Sequence, residues 1–145
     1  MIAVDTNILV YAHRRDSAWH EAAAGCIGRV AEAGGPWAIP WPCIHEFVAI
    51  ASHPRIYDPP SSLHAAIDQV DAWLESPALV LLAERRGYWD ASRELLSKAK
   101  AAGPRVHDAR VAALCLAHGV RELWSADRDF SRFADLTVRN PLTKA

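Results

Sequence analysis

The sequence lacks the features that mark several large classes of protein. Its three cysteines, Cys26, Cys43 and Cys115, are widely spaced and form no CxxC pair, which disfavours a disulfide framework or a structural zinc site and favours buried, inert thiols. No apolar run approaches the roughly 18–20 residues of a membrane span. Asp5 stands where a signal peptide would carry basic residues followed by a long apolar core, so we expect a cytoplasmic protein with no membrane contact.

The excess of positive charge that usually draws a protein to nucleic acid is also missing. The formal net charge is −1 at pH 7, so the whole chain has no basic field. The basic residues are nevertheless skewed, with 13 Arg against 3 Lys. The planar fork of arginine suits phosphate, although codon bias accounts for the same skew.

Short apolar strands alternate with helices of roughly 10–17 residues along the chain, which is typical of a parallel sheet flanked by helices. A length of 145 residues favours a single domain spanning 1–145. The expected fold class is therefore α/β, with a short central, mainly parallel β-sheet flanked by α-helices. Strands are predicted at 2–4, 37–39, 78–82, 122–125 and 136–138. Helices are predicted at 17–33, 42–53, 63–74, 89–101 and 107–118, with a further helical turn at 7–13. Ser17 is the expected N-cap of the first of these helices, Pro42 the first residue of the second, and Gly119 the residue that ends the last.

Five acidic residues fall at or near the carboxyl ends of the predicted strands, where sites form in open α/β sheets. Asp5 follows the first strand directly, and Asp127 and Asp129 follow the strand ELWS. Asp108 stands in the first turn of its helix, and Glu46 lies about one turn into the helix after the second strand. We therefore expect several of these carboxylates to meet at one edge of the sheet.

Each acid taken singly has an ordinary structural explanation. Asp108 suits the positive end of a helix, Glu46 suits an exposed helix surface, and Asp127 with Asp129 suits a polar turn. Asp5 is harder to explain in this way, because a carboxylate that ends a buried strand costs desolvation energy unless something pairs with it. Taken together, converging carboxylates repel one another unless a cation balances them, and hard oxygen ligands suit Mg²⁺ or Mn²⁺. Such an ion can activate water for phosphoryl transfer.

Several other enzyme classes are disfavoured by what is missing near these acids. A dinucleotide-binding oxidoreductase needs a glycine-rich turn after the first strand, and DTNILV has none. A P-loop enzyme needs a GK[ST] sequence, which is absent. Asn7 stands where a haloacid-dehalogenase-type phosphatase has its second Asp, and the acid pair and late lysine of a receiver domain are not in place. The histidines form no HExxH pattern, so a zinc hydrolase is also disfavoured.

Four segments in order, IAVDTNILVYA, PCIHEFVAIASHPRIY, HDARVAALCLAHGV and LWSADRDFSRF, resemble the PIN-domain ribonucleases, and among them the VapC-type toxins of bacterial toxin–antitoxin pairs. The resemblance spans essentially the whole chain and implies a PIN fold and a metal-dependent endoribonuclease. The positions that match the four acids of the family are Asp5, Glu46, Asp108 and Asp127. On this interpretation Asp5, Asp108 and Asp127 ligate Mg²⁺ or Mn²⁺, and Glu46 positions a water or completes the shell of ligands.

The resemblance also implies supporting residues and partners. Thr6, Asn7, Ser125 and Asp129 match positions around the acids, with Asn7 orienting Asp5 and Ser125 standing where many relatives have threonine. The family implies a homodimer, an RNA substrate and a small VapB-type antitoxin that occupies the catalytic groove. The alternative from another class is a catalytically silent PIN-like module that binds RNA or protein, and retention of all four acids argues against it.

The predicted RNA contacts rest on residue chemistry alone. Basic residues close to the acids in sequence can reach phosphates, and Trp41 and Tyr11 can stack on unpaired bases. Most of the six tryptophans are nevertheless expected in the core or in an interface. His45 and His107 are interpreted as ordinary helix residues rather than metal ligands. The candidate phosphate contacts are His13, Arg14, Arg15 and Arg128.

Overall fold

The computed structural model describes residues 1–143 and contains one five-stranded sheet. The strands are β1 (Ile2–Val4), β2 (Trp37–Pro40), β3 (Leu79–Leu82), β4 (Glu122–Trp124) and β5 (Val138–Arg139). They lie in the order β3-β2-β1-β4-β5, and every neighbouring pair is parallel. Ile2 pairs with Trp37 on one side and with Glu122 on the other, so β1 is the central strand.

Helices connect the parallel strands, as parallel pairing requires. They are α1 (Thr6–His13), α2 (His20–Glu32), α3 (Trp41–Ala51), α4 (Leu63–Leu74), α5 (Tyr88–Ala99) and α6 (Arg105–Ala117), and a short 3₁₀ helix covers Arg128–Arg132. The predicted α/β class is confirmed. Leu63–Leu74 has the predicted bounds, because the Ser62 hydroxyl caps the helix by accepting a 3.0 Å hydrogen bond from the backbone N–H of Ala65. Gly119, with φ of 66°, follows α6 as predicted.

The central strands are buried on both faces. All four residues of β2 are buried, and Ala3 and Val4 of β1 are wholly inaccessible to solvent. Side chains alternate between the two faces of a strand, so continuous burial means that helices cover the sheet on each side. All five carboxyl ends therefore meet along one edge, and Asp5 follows the middle one.

Several predicted bounds were wrong, and local hydrogen bonds explain two of them. Ser17 does not cap α2, which begins at His20. The Ser17 hydroxyl instead accepts a 3.1 Å hydrogen bond from the N–H of Trp19 in a turn before the helix. The last strand is Val138–Arg139 rather than 136–138, because β4 pairs Leu123 with Val138.

Smaller shifts affect the other elements. The helix predicted to begin at Pro42 begins one residue earlier, at Trp41, so the proline is its second residue. The two helices predicted at 89–101 and 107–118 are Tyr88–Ala99 and Arg105–Ala117. The third strand lacks Ala78, and the fourth ends at Trp124. Within residues 1–143, no helix combines the length and the apolar character that crossing a bilayer demands. The single domain 1–145 stays a prediction, and its last two residues lie outside the described part.

Candidate active site

A cavity of about 230 Å³ opens at the carboxyl edge of the sheet and collects acids from four separate segments. Asp5 reaches it from the junction of β1 and α1, and Glu46 from the second turn of α3. Asp108 comes from the first turn of α6, and Asp127 from the residue before the 3₁₀ helix. The four acids that match the family positions therefore line one cavity, and the fifth acid singled out in the sequence, Asp129, is not among its lining residues.

Asp5 is the most buried of the acids, with 6% of its surface exposed. Its backbone N–H donates to the carbonyl of Trp124 at 2.9 Å, which continues the pairing of the two central strands past their ends. Its Oδ2 accepts a 2.7 Å hydrogen bond from the Ser125 hydroxyl, and its Oδ1 accepts a 3.5 Å bond from the Cys43 thiol. Strand pairing thus fixes the main chain, and these donors help to orient the carboxylate.

The side chain of Asn7 joins the first acid to the loop that carries another. Its Nδ2 donates to Asp5 Oδ2 at 3.4 Å and to Ser125 Oγ at 3.3 Å, while its Oδ1 accepts from the N–H of Ala126 at 3.0 Å. Ser125 Oγ in turn accepts a 3.0 Å bond from the N–H of Asp127. These bonds hold the loop 125–127 against the start of α1, so Asp5 and Asp127 are fixed relative to each other.

Three partly exposed carboxylates, which we call the open side of the site, form the tightest group of acids. Asp108, Asp127 and Asp129 each place a carboxylate oxygen within 4.8 Å of the others. The N–H of Asp129 donates to Asp127 Oδ1 at 2.8 Å, and Arg105 bridges the group by pairing with Asp129 and, at 3.4 Å, with Asp108. Asp129 was predicted only to support the site, but it lies close enough to Asp108 and Asp127 to be a candidate ligand itself.

The pKa values of Asp5 and Asp108 are both raised, because their surroundings disfavour the ionised carboxylate. Burial raises the pKa of Asp5, and the charge of Asp127 adds to the rise, while the hydrogen bond from Ser125 offsets part of it. The pKa of Asp108 is raised first by loss of water and then by Asp127, with Arg105 acting in the opposite direction. Carboxylates in such an environment resist ionisation unless a cation compensates them.

Glu46 differs from the other acids because much of its side chain remains exposed. Its pKa is still raised, first because neighbouring atoms displace water from its carboxyl group and then because of the charges of Asp5 and Asp108. The nearby side chain of Thr6, which is buried, offsets part of that rise. A partly exposed carboxyl group with a raised pKa is suited to exchanging a proton with water.

The donor set fits a divalent metal ion. Its ligands are carboxylate oxygens, which Mg²⁺ and Mn²⁺ prefer. Burial, and after it the charge of Asp127, raises the pKa of Asp5 and of Asp108, and a bound cation would favour their ionised forms. Asp108, Asp127 and Asp129 could each offer one oxygen, whereas Asp5 is not in that close group, although it lines the acidic cavity together with Asp108 and Asp127. His107 also lines the cavity but belongs to none of the close groups of metal-binding side chains found among residues 1–143.

The four candidate phosphate contacts lie in different surroundings. His13 is engaged within the fold, because its Nδ1 bonds to Gln69 at 3.1 Å and its Nε2 to Ser61 at 2.9 Å. Arg14 pairs with Asp16 at 2.7 Å and stacks over Tyr57 at 4.2 Å from the ring centroid. Arg15 and Arg128 are exposed, and Arg128 follows Asp127 directly. Arg128 thus neighbours an acid in the chain, whereas His13 and Arg14 are engaged within the fold, Arg14 against Tyr57, whose side chain also lines the acidic cavity.

Sequence reasoning missed three residues at this site. Cys43 was treated as an inert thiol, yet it donates to Asp5, and its pKa is raised well above normal by burial. Arg105 was not considered, although its spacing of three residues from Asp108 on a helix makes a contact expected. Tyr57 lines the acidic cavity from the loop after α3, and no sequence pattern indicated it.

Comparison with known families identifies relatives over nearly the whole chain. The family model of the PIN domain matches residues 2–136, which is nearly the whole chain. Ribonuclease VapC43 of Mycobacterium tuberculosis is 37% identical over 142 residues, covering 98% of this chain and 96% of that protein. Ribonuclease VapC48 of the same species is 28% identical over 139 residues, covering 96% of each.

Solved structures share the fold at lower sequence identity. VapBC2 from Rickettsia felis, bound to a DNA fragment from their promoter, superposes with a TM-score of 0.70 at 17% identity, covering 96% of this chain and 98% of that one. The sarcin-ricin loop cleaving toxin VapC20 of Mycobacterium tuberculosis gives 0.67 at 17% identity, covering 90% and 93%. The chain belongs to the PIN domain family and, within it, to the VapC ribonucleases.

Proposed function

We propose that the chain is a divalent-metal-dependent endoribonuclease that cleaves phosphodiester bonds in RNA and serves as the toxin of a VapBC-type toxin–antitoxin pair. One observation carries the proposal: Asp5, Glu46, Asp108 and Asp127 come from four segments and line one cavity. Ribonuclease VapC43, which is 37% identical over almost the whole chain, supports the same activity.

Asp5, Asp108 and Asp127 are assigned as the residues that hold Mg²⁺ or Mn²⁺, with Asp129 as a further carboxylate on the open side. When bound, such an ion lowers the pKa of a coordinated water and polarises the phosphodiester. The assignment is supported by the close approach of Asp108, Asp127 and Asp129 and by the cavity that Asp108 and Asp127 share with Asp5. Ser125 and Asn7 support the site by fixing the orientation of Asp5 through their hydrogen bonds.

Glu46 is assigned to the attacking water. Its carboxyl group faces the cavity from α3, and its raised pKa makes it a better proton acceptor than an ordinary surface glutamate. Thr6, buried beneath it, limits the rise of the pKa and helps to fix the position of the side chain. In this scheme Glu46 orients the water and takes its proton as the water oxygen bonds to phosphorus. The phosphorus–oxygen bond to one ribose breaks, the leaving oxygen takes up a proton from solvent, and no covalent enzyme intermediate forms.

Phosphate contacts are assigned to the exposed arginines. Arg128 follows Asp127 in the chain and lines a neighbouring cavity of about 550 Å³ to which Asp127 also contributes, which supports a phosphate contact next to the acids. Arg15 is exposed at the end of the segment that follows α1. His13 and Arg14 both hydrogen-bond to Ser61 in the loop before α4, which holds the segment carrying Arg15 in place. They contribute to RNA binding indirectly, by fixing the position of that segment.

The proposed partners follow from the family. Likeness to VapBC2 and to VapBC-1 of nontypeable Haemophilus influenzae supports a cognate VapB-type antitoxin. Assembly as a homodimer and a cytoplasmic location belong to the same proposal. Arginines near the acids carry positive charge, and an antitoxin that occupies the catalytic groove has to compensate that charge.

The experiment compares RNA cleavage by the purified chain in EDTA, in Mg²⁺ and in Mn²⁺. We expect cleavage with either metal, none in EDTA, and loss of cleavage in Asp127→Asn. The matched control is Asp135→Asn, which removes an exposed acid that pairs with Lys98 at 3.0 Å outside the site. RNA binding without cleavage under every metal condition would instead identify a catalytically silent binding module.

A further inference from the structure

A second cavity, of about 200 Å³, lies beside the acids and is not used by the mechanism above. It is lined by Trp41, Pro42, His45, Glu46, His107, Arg110 and Val111. Glu46, His107 and Val111 also line the acidic cavity. The two cavities are therefore neighbours that share a wall, and a polymer held in one can reach the other.

The helical repeat accounts for the aromatic and basic character of this cavity. Trp41 and His45 lie four residues apart and so share one face of α3, while His107 and Arg110 lie three apart on α6. Trp41 is the first residue of α3, directly after β2, and this places its indole at the same edge of the sheet as the acids. Its ring is half-buried and lies 6.3 Å from that of His45, so it is held in place but keeps part of its surface accessible.

The charge of the cavity favours a neutral group over a phosphate. Arg110 is the one residue of its lining that is always cationic, and Glu84 pairs with it through contacts of 2.6 Å to Nε and 2.5 Å to Nη2. That pair offsets the charge of Arg110 and holds its guanidinium in place, and Glu46 adds an acidic group to the lining, so no positive charge is left over for a phosphate. The volume is below the 300–1,000 Å³ that is usual for drug-sized ligands, which suits a single flat ring.

We propose that this cavity is a subsite for one unpaired nucleobase of the RNA substrate, which stacks on Trp41 next to the bond that is cut. The inference rests on the proposed function and adds to it a binding position for one base, with Trp41 as the stacking residue. A base in a duplex is stacked and paired, so only RNA that is single-stranded at this nucleotide can place a base there. Base–aromatic stacking tolerates different bases, so the subsite selects for strandedness more than for sequence.

The experiment uses an unstructured RNA oligonucleotide with one cleavage site and a series of copies, each carrying an abasic nucleotide at a different position. The wild type is compared with Trp41→Phe, which keeps an aromatic ring, and Trp41→Leu, which keeps apolar bulk but cannot stack. The control is Trp89→Leu, because Trp89 is exposed on α5 and lines neither cavity. The quantity measured is kcat/KM with Mn²⁺.

We expect an abasic nucleotide at one position beside the cut to lower kcat/KM of the wild type, of Trp41→Phe and of Trp89→Leu by roughly 5- to 150-fold, the loss expected for one base–aromatic stack. In Trp41→Leu the intact RNA should already show that loss, and the abasic change should add almost nothing. An abasic effect of the same size in Trp41→Leu and in the wild type would overturn the subsite.

A second measurement keeps the test decisive if Trp41→Leu does not fold. A 4-thiouridine at the sensitive position of the wild-type complex should crosslink under ultraviolet light to peptides carrying residues 41–46 or 107–111. Crosslinks confined to other segments would overturn the subsite while leaving the nuclease intact. Absence of metal-dependent cleavage by the wild type would overturn the proposed function itself, and the subsite with it.

Discussion

The hydroxyl of Ser125 donates a 2.7 Å hydrogen bond to the carboxylate of Asp5, although 120 positions separate the two residues in the chain. Both are buried, with 2% and 6% of their surfaces exposed. The bond exists because β1 and β4 are parallel neighbours, so the residues that follow them emerge side by side. This hydrogen bond shows how the pairing of two strands sets the position of an acid in the site.

Replacement of Ser125 by alanine should weaken both the site and the fold. It removes the strongest donor to Asp5 and leaves the N–H of Asp127 without its partner, and the free energy of unfolding should fall by about 1–3 kcal/mol. Cleavage should fall about tenfold or more, as when a partner that orients a metal ligand is lost. Urea unfolding and initial cleavage rates measure the two effects.

The controls for this prediction separate the hydroxyl from the change in volume. Ser125→Thr keeps the hydroxyl and should retain most of the activity, while Ser97→Ala changes an exposed serine on α5 and should behave as the wild type. Equal activity in Ser125→Ala and the wild type would show that Asp5 needs no such support.

The raised pKa of Asp5 predicts how the stability of the metal-free protein depends on pH. The folded state holds the proton of this carboxyl group more tightly than the unfolded chain, so ionisation opposes folding. Stability linked to Asp5 is therefore present at low pH and is lost as the pH rises from the unfolded value of about 3.9 through the raised folded one. In EDTA, Asp5→Asn should gain stability relative to the wild type as the pH increases.

The measurement is urea unfolding of both proteins from pH 4 to pH 8, with the difference between them taken at each pH so that other titrating groups cancel. Addition of Mg²⁺ at pH 7 should stabilise the wild type more than Asp5→Asn, because the cation favours the charged carboxylate. A difference that does not change with pH would mean that Asp5 has an ordinary pKa in the folded protein.

Arg105 should compete with a metal ion for the acids it bridges. Its guanidinium pairs with Asp129 and lies 3.4 Å from Asp108, so it places a positive charge beside the proposed ligands. All three side chains are partly exposed, which limits the effect to about 1 kcal/mol, or roughly fivefold in Kd. Arg105→Gln should bind Mn²⁺ more tightly by this factor in isothermal titration calorimetry.

Lys98→Gln is the matched control, since its ammonium pairs with Asp135 at 3.0 Å, away from the acids, and its Mn²⁺ affinity should not change. Weaker binding by Arg105→Gln would contradict the prediction and would mean that the arginine organises the carboxylates more than it repels the ion.

Much of the fold followed from local patterns in the sequence. Strand Ile2–Val4 and helix Leu63–Leu74 had the predicted bounds, because an apolar run ending on Asp5 and a serine before a helical repeat are strong local signals. The convergence of four acids also followed, since parallel strands put their carboxyl ends on one edge. These properties depend on neighbours in sequence and on one general rule of topology.

What sequence reasoning missed depended on contacts between distant segments. The last strand is set by its pairing with β4 and not by its own three residues, and the start of α2 by a turn at Ser17. The donation from Cys43 to Asp5 joins two helix starts that only the sheet brings together. Asp129 was predicted only as a supporting acid. It approaches Asp127 because both lie at the start of a short 3₁₀ helix, and no periodic pattern in the sequence predicts that helix.

The central claim is that carboxylates from distant segments form one metal-dependent site for cutting RNA, and the rate of RNA cleavage by Asp5→Asn in saturating Mn²⁺ tests it most directly. The account predicts a fall of more than about 100-fold, beyond the loss that partners of metal ligands typically cause, with a thermal unfolding curve as cooperative as that of the wild type. Wild-type cleavage by folded Asp5→Asn would contradict it.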